Sequence, residues 1–346
     1  MLKVNHLVLK HKMAEILLQK GVNADSVFHA TESMIQTSVR GVDSHGINLF
    51  PHYCRAVDSG RIAKTPEIKV KKSAVSAAMV DAGHAFGHHA GAVAIDLAVQ
   101  LASETGIGAV GVKNSTHFGA AAYFALRAAE KGFIGLSFTN ADALVKAHGS
   151  KEAFFGTNPI CFAAPLEKEE PFCLDMATSL VSWNKINNYR RENLPIPGHW
   201  AFDEDGKPVT DPHLAKSLNP AGDYKGFGLG MMVDILCATL IGGIASKDLL
   251  AMYSSPIEAQ RRVSHFFMAI DISKFNPLGA FKSSLQLMVN RIRSLPTLDG
   301  SQKMMVAGDP EKLAEKQRII SGIPMDSIKY DEFLALSSDF KTALMK

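Results

Sequence analysis

The chain has 346 residues, with 37 Lys and Arg against 34 Asp and Glu, and is 47% apolar and 21% charged. That length exceeds the roughly 250–300 residues at which single cores stop growing, so two parts sharing an interface are expected. The near-average composition excludes disorder, collagen and coiled coil, and a dispersed net charge of +3 gives no basis for nucleic-acid binding.

In chain order, Leu7–Gln19 reads as a helix with Leu7, Leu9, Met13, Ile16 and Leu17 on roughly one face and Gly21 beyond its end. Lys3, Lys10 and Lys12 interrupt this stretch and no small-residue cleavage site follows, which argues against a signal peptide. Asn23 or Asp25 is placed to cap a second helix through about Val39, and a third is expected at about Phe50–Ser59. From Glu67 onward the pattern becomes mixed α/β. Strand-like runs stand at Ile68–Val70, Ala77–Val80, Gly108–Val112, Phe133–Phe138, Ile160–Ala164 and Phe172–Leu174, with Ala-rich helices at Gly91–Glu104 and Ala120–Lys131. Trp200–Thr210 reads as irregular, with a turn at Asp205-Gly206. Gly226–Leu240 reads as a buried core helix: it holds Asp234, and its apolar run is shorter than the ~20 residues a membrane span needs. His265–Asp271 is strand-like, and Phe281–Leu295 and Pro310–Ile320 are closing helices. Cys54, Cys161, Cys173 and Cys237 show no close spacing, so neither a zinc ribbon nor a disulfide framework is expected, and free thiols fit a reducing cytoplasm.

GIGAVG at Gly106–Gly111 has the form of a dinucleotide fingerprint but the reverse context, with a helix before it and a strand after. Gly106 is better read as a helix C-cap and Gly108 as a strand start. His84 and His88 have a zinc-compatible spacing, but Gly83, Gly87 and Gly91 favour a polar loop there. His45, between two helices with Asp43 and Ser44 beside it to orient it, suits acid/base chemistry. His117 lies where a strand hands over to a helix, a common ligand position with free N–H groups. Gly156–Pro159, Leu174–Ser179 and Tyr224–Gly228 are further chemically loaded loops, the last setting Lys225 beside a helix N-terminus. The residues alone reach an α/β enzyme with histidine chemistry and a phosphate-bearing cofactor.

GVDSHGIN, THFGAAAYF, FGTNPICFAAP, LDMATS and YKGFGLGMMVD, in that order, resemble the type-2 malate/L-lactate dehydrogenase family over nearly the whole chain. The family also holds ureidoglycolate dehydrogenase, diketogulonate reductase, sulfolactate dehydrogenase and piperideine-carboxylate reductase, and the malate and ureidoglycolate branch looks nearest. The resemblance implies a non-Rossmann nicotinamide-binding fold. A helical part made of 1–66 plus 281–346 and an α/β part of 67–280 would meet at the active site of a cytoplasmic homodimer. It implies an NAD(P)-dependent dehydrogenase or reductase acting at C2 of a small 2-hydroxy or 2-oxo acid, with no metal. NAD is preferred to NADP, because the nearest branches use it and no basic cluster for a 2′-phosphate is visible.

Carried over by position, His45 with Ser44 resembles the acid/base, and His117 the histidine at the nicotinamide end, to which some members assign the proton transfer. His117, Phe118, Gly119, Ala120, Ala121, Asp175, Met176, Ala177, Lys225, Val306, Ala307, Gly308 and Asp309 match cofactor-contacting positions. Thr157, Asn48 and Lys146 are expected at the substrate. Members that clamp a carboxylate often carry arginine where this chain has Leu49, so Arg55, Lys146, Lys185 or a partner-subunit residue is expected to substitute, or the substrate differs. Lys146, in a loop that is uncharged in relatives, brings a charge near the pocket. Lys185 stands where one branch has an aspartate partnering the histidine, which removes that relay. Two competing expectations are a zinc-dependent hydrolase using His84 and His88, and a member that keeps the fold but only binds ligands. The joint presence of His45, His117, Asp175 and Lys225 argues against the second.

Overall fold

The computed structural model describes residues 2–300, 303–337 and 340. Asn5 caps the His6–Gln19 helix and Asn23 caps Ala24–Val39, the Asn23 side-chain oxygen accepting the Ser26 N–H at 3.1 Å. Leu9, Met13, Ile16 and Leu17 face Val27, Ala30, Met34 and Ile35 in one apolar core, whereas Leu7, expected on the same face, lies in the first turn and is 63% exposed. The two chain ends join this core. Strand Leu2–Val4 pairs antiparallel with Ile323–Met325, and Phe333 stacks on Phe50 of the Phe50–Asp58 helix at 5.3 Å. Two helices escaped the sequence patterns, Trp183–Glu192 and Ser327–Leu336.

The α/β part is built on a seven-stranded sheet in the order Lys69–Lys72, Ala77–Asp81, Ile107–Ser115, Val263–Asp271, Phe133–Thr139, Ile160–Ala164, Phe172–Met176. One neighbouring pair, Ala77–Asp81 with Ile107–Ser115, is parallel; the rest are antiparallel. A doubly wound nucleotide fold needs a mostly parallel sheet, so this architecture is a different one. The GIGAVG glycines serve packing. Gly106 (φ +88°) ends the Gly87–Thr105 helix, and a Cβ on Gly108 would lie 2.1 Å from the Ala98 carbonyl of that helix. Gly111 faces the opposite side, against Ile241.

Two expectations need correction. The helix starts at Gly87, so His88 and His89 are buried in its first turn rather than held in a polar loop. Three glycines do not prevent it, because a Cβ on Gly87 would strike the Thr116 carbonyl, and one on Gly91 the Phe124 ring. The apolar helix predicted at Gly226–Leu240 runs Tyr224–Asp234 and continues as a π-turn through Thr239. It is not a buried core helix. Val233 and Cys237 pack on the sheet, while Met231, Ile235 and Leu240 are 50%, 45% and 61% exposed. No helix among the described residues is long and apolar enough to cross a membrane.

A small four-stranded sheet (Ala201–Phe202, Ser217–Leu218, Val145–Lys146, Ala153–Phe155) and the Trp183–Glu192 helix enclose a satellite core around Ile186, Ile196 and Leu218. The Leu278–Arg293 helix is tied to the α/β part through Glu169, whose carboxylate accepts from Arg293, Gln286 and Lys312.

Candidate active site

A cavity of about 1020 Å³ lies between the front helices, the C-terminal ends of several strands and the 306–311 turn. At one end is the Gly41–Leu49 segment. Gly46 allows it to pass tightly over the preceding helix, since a Cβ there would lie 2.0 Å from Ser38 Oγ, the group that accepts the Ile47 N–H. Asp43 does not orient His45; its carboxylate is clamped by both terminal nitrogens of Arg318, at 2.6 and 2.9 Å. Ser44 does contact it, with Oγ 2.9 Å from His45 Nδ1, and Asn184 Nδ2 donates to the Ser44 carbonyl at 2.9 Å.

His117 follows the Ile107–Ser115 strand and its ring lies 5.8 Å from that of His45, near parallel. The Tyr53 hydroxyl sits 2.7 Å from His117 Nδ1, and the Gly119 N–H donates to the same nitrogen at 3.4 Å. An amide N–H can only donate, so Nδ1 accepts and the proton of neutral His117 resides on Nε2. Both imidazoles are ringed by protein. That desolvation lowers His45 to about 4, and it holds His117 well below 6.5 with help from the positive fields of His45 and Arg261.

Along the cavity, Gly119 (φ +76°) and Ala120–Ala122 line the wall with small residues, and a Cβ on Gly119 would lie 2.7 Å from His88 Nε2. The Ala122 N–H donates to Asp175 at 2.8 Å. Asp175 opens onto the cavity, yet desolvation by the surrounding walls raises it to about 6 against the pull of that N–H. Met176, Ala177 and Thr157 also line the wall. At the far end are Val306, Ala307 and Gly308, with Glu311 and with Arg40, which is held by Glu170 and Glu315.

Several expected residues lie elsewhere. Phe118 is in the core, stacked on His265 at 4.7 Å. Asp309 shapes the turn instead, accepting from Arg293 and the Val306 N–H. Asn48 is off the cavity wall. Lys146 turns to the small sheet, its ammonium 4.2 Å from the Phe202 ring and bonded to the Gly206 carbonyl, because an adjacent aromatic face stabilises it better than the cavity does. Lys185 lies likewise over Trp200 at 4.5 Å, and Arg55 is exposed outside the cavity. Lys225 is exposed at the start of its helix, outside the cavity of its own chain. Among the described residues no group of three or more His, Cys, Asp or Glu is arranged for a metal ion.

The cation that does face the histidine end is Arg261, which no sequence pattern singled out. It sits just before the Val263–Asp271 strand and is 4% exposed, with Nε donating to the Leu250 carbonyl at 2.7 Å and Nη2 paired with Asp142. Its neighbour Arg262 has the same side-chain chemistry, so composition offers no way to choose between them; only the strand's register does. Leu49, Met252, Tyr253 and Trp183 complete this end.

The model of the malate/L-lactate dehydrogenase family matches residues 4–333. The chain is 37% identical over 330 residues to malate dehydrogenase of Pyrococcus abyssi, covering 92% of this chain and 90% of that protein. It is 29% identical to ureidoglycolate dehydrogenase (NAD(+)) of Escherichia coli over 322 residues, covering 93% and 92%. Among solved structures, malate dehydrogenase from Entamoeba histolytica superposes with a TM-score of 0.93 at 28% identity, covering 98% of each chain. The mostly antiparallel sheet, the paired histidines facing one long cavity and the match over nearly the full length agree, and the chain belongs to the malate/L-lactate dehydrogenase family.

Proposed function

We propose that the chain is an NAD-dependent oxidoreductase that moves a hydride between nicotinamide and C2 of a small 2-hydroxy or 2-oxo acid. The observation that carries this reading is the pair of desolvated histidines, His45 and His117, at one end of a cavity whose other end is open backbone and carboxylates. The residues present fit a dinucleotide: Gly119–Ala122 line the cavity with small residues only, and the left-handed Gly119 leaves no room for a side chain. Gly119–Ala122, Asp175–Ala177 and Val306–Gly308 would hold it. Lys225, at an exposed helix N-terminus outside its own chain's cavity, would in the proposed homodimer be offered to the phosphates of a dinucleotide in the other subunit. When bound, the nicotinamide supplies the hydride acceptor or donor.

The protein's own part is proton transfer and orientation. In this proposal His45, neutral near pH 7, removes the C2 hydroxyl proton, and in reverse its imidazolium returns it; such a partner is worth about 10²–10⁴ in rate. His117, carrying its proton on Nε2, donates a hydrogen bond to the same oxygen and stabilises developing negative charge. Ser44 fixes the His45 ring. Arg261 receives the substrate carboxylate on its outer edge, since Nε and one side of Nη2 are already engaged. NAD is favoured over NADP because Asp175 and Glu311 would repel a 2′-phosphate, and the cation of that wall, Arg40, is neutralised by Glu170 and Glu315.

The proposal includes a homodimer, supported by the exposed apolar face of the Tyr224–Leu240 segment. It also takes 1–66 with 281–346 as the helical part and 67–280 as the α/β part, supported by the cavity's walls coming from both. Four free cysteines support a reducing cytoplasm. Absorbance of the reduced nicotinamide, followed with NAD and NADP against 2-hydroxy and 2-oxo acids, tests the reading. Chelator-resistant turnover with NAD is expected. No turnover together with no dinucleotide binding by titration overturns it.

A further inference from the structure

Given the dehydrogenase reading above, on which this inference rests, the charges that face the histidine end decide what the rest of the substrate is like. Arg261 is the cation there, and it is already opposed by Asp142. The other guanidinium on the cavity wall among the described residues, Arg40, belongs to the far end, between Glu170 and Glu315. Lys146 and Lys185 lie on aromatic rings of the satellite core, and Arg55 points away. Asn184, which is uncharged, gives one of its N–H groups to the Ser44 carbonyl.

Within the chain's own cavity, one carboxylate therefore has a cation to meet. Beyond C2 the wall is Leu49, 5% exposed, with Met252, the Tyr253 ring and Trp183. A second carboxylate placed there would meet no cation of this chain's own cavity wall, and it would add to the negative field of Asp142. An alkyl or aromatic group placed there would bury apolar area against apolar area.

We propose that this site selects 2-oxo and 2-hydroxy monocarboxylic acids with an uncharged, apolar substituent, and that it discriminates against dicarboxylic acids of the malate and oxaloacetate type. Leu49 is the specificity-determining position, because it is the buried apolar side chain on the wall at the histidine end, where an arginine would add a second cation beside Arg261.

The test is initial-rate reduction with NADH, by the purified full-length chain, of oxaloacetate, pyruvate, 4-methyl-2-oxopentanoate and phenylpyruvate. The expected order has kcat/KM rising from pyruvate to the larger apolar acids, with oxaloacetate below the best of them by at least about tenfold. Oxaloacetate equal to or above the best apolar acid overturns the proposal and leaves the dehydrogenase reading intact. Reduction of none of the four overturns this proposal, and if NADH also fails to bind by titration it overturns the dehydrogenase reading with it. In Leu49→Arg, with NADH binding retained, the ratio of oxaloacetate to apolar-acid kcat/KM is expected to rise by at least about tenfold. A folded variant with an unchanged ratio overturns the role given to Leu49. Should the buried arginine prevent folding, the wild-type order decides, and Leu49→Met serves as the folded control that keeps the apolar preference.

Discussion

Arg261→Met separates two roles that one side chain fills. The guanidinium balances Asp142, whose side chain is 15% exposed, and in the proposal it also receives the substrate carboxylate. Removing one partner of a buried ion pair strands the other, at a cost of about 3–5 kcal/mol in stability. Substrate recognition loses two charge-assisted hydrogen bonds at about 1.5–3 kcal/mol each, or about 10²–10⁴ in kcat/KM. Adding Asp142→Asn removes the stranded charge, and the carboxamide needs no counter-ion, so most of the stability returns. Catalysis does not, because nothing replaces the carboxylate ligand. The assay is urea unfolding and steady-state kinetics on wild type, both single variants and the double. A double variant that recovers stability and kcat/KM together refutes the reasoning, for it shows Arg261 to be a structural counter-ion alone.

Three further outcomes are expected. His45→Ala lowers kcat by at least about 10² while dinucleotide affinity, read by fluorescence titration, stays near wild type; near-normal turnover removes His45 from the chemistry. Burial lowers His88 and His265 to about 3, below the ~6.5 of the unfolded chain, so the unfolded state binds more protons below pH 6.5 and stability falls with pH. By pH 5 each contributes a loss of about 2 kcal/mol relative to pH 7, and denaturant midpoints unchanged between those values contradict this. Ile235→Asp, on the exposed apolar face, halves the mass found by sedimentation; a wild-type chain that is already monomeric sinks the dimer.

Much of the fold was legible because periodicity reports burial. The strand at Ile160–Ala164 and the helices around Leu9 and Met34 carry their apolar faces in plain view. The Trp183–Glu192 helix did not, since Ile186 is its single fully buried residue and no apolar stripe exists to be read. The Tyr224–Thr239 helix misled for the opposite reason: apolarity was taken for burial, and half of its apolar surface faces outward. At the site, His45, His117 and Asp175 were reached through motif order. Lys146 failed as a pocket residue because sequence proximity to the cavity says nothing about the Phe202 ring that captures it. Arg261 was hidden because its importance lies in what it faces across the cavity, contributed by residues more than a hundred positions away.

The same desolvation lowers both histidines and raises Asp175, and it gives the site a rest state and a trigger. With the histidines neutral near pH 7, the catalytic end of the resting cavity carries little charge beyond the Arg261–Asp142 pair, while Asp175, raised only to about 6, stays largely ionised further along. An arriving carboxylate changes that balance. It is drawn to Arg261, and its negative field favours the imidazolium form of His45, so anion binding and proton uptake reinforce each other. A 2-oxo acid then brings about the acid form needed to protonate its own developing alkoxide. In the proposed reaction a 2-hydroxy acid brings the same carboxylate, whose field helps His45 keep the proton that the C2 hydroxyl releases. The apolar wall of Leu49, Met252 and Tyr253 belongs to the same device, because water admitted there would screen the carboxylate's field and restore the histidines toward their ordinary range.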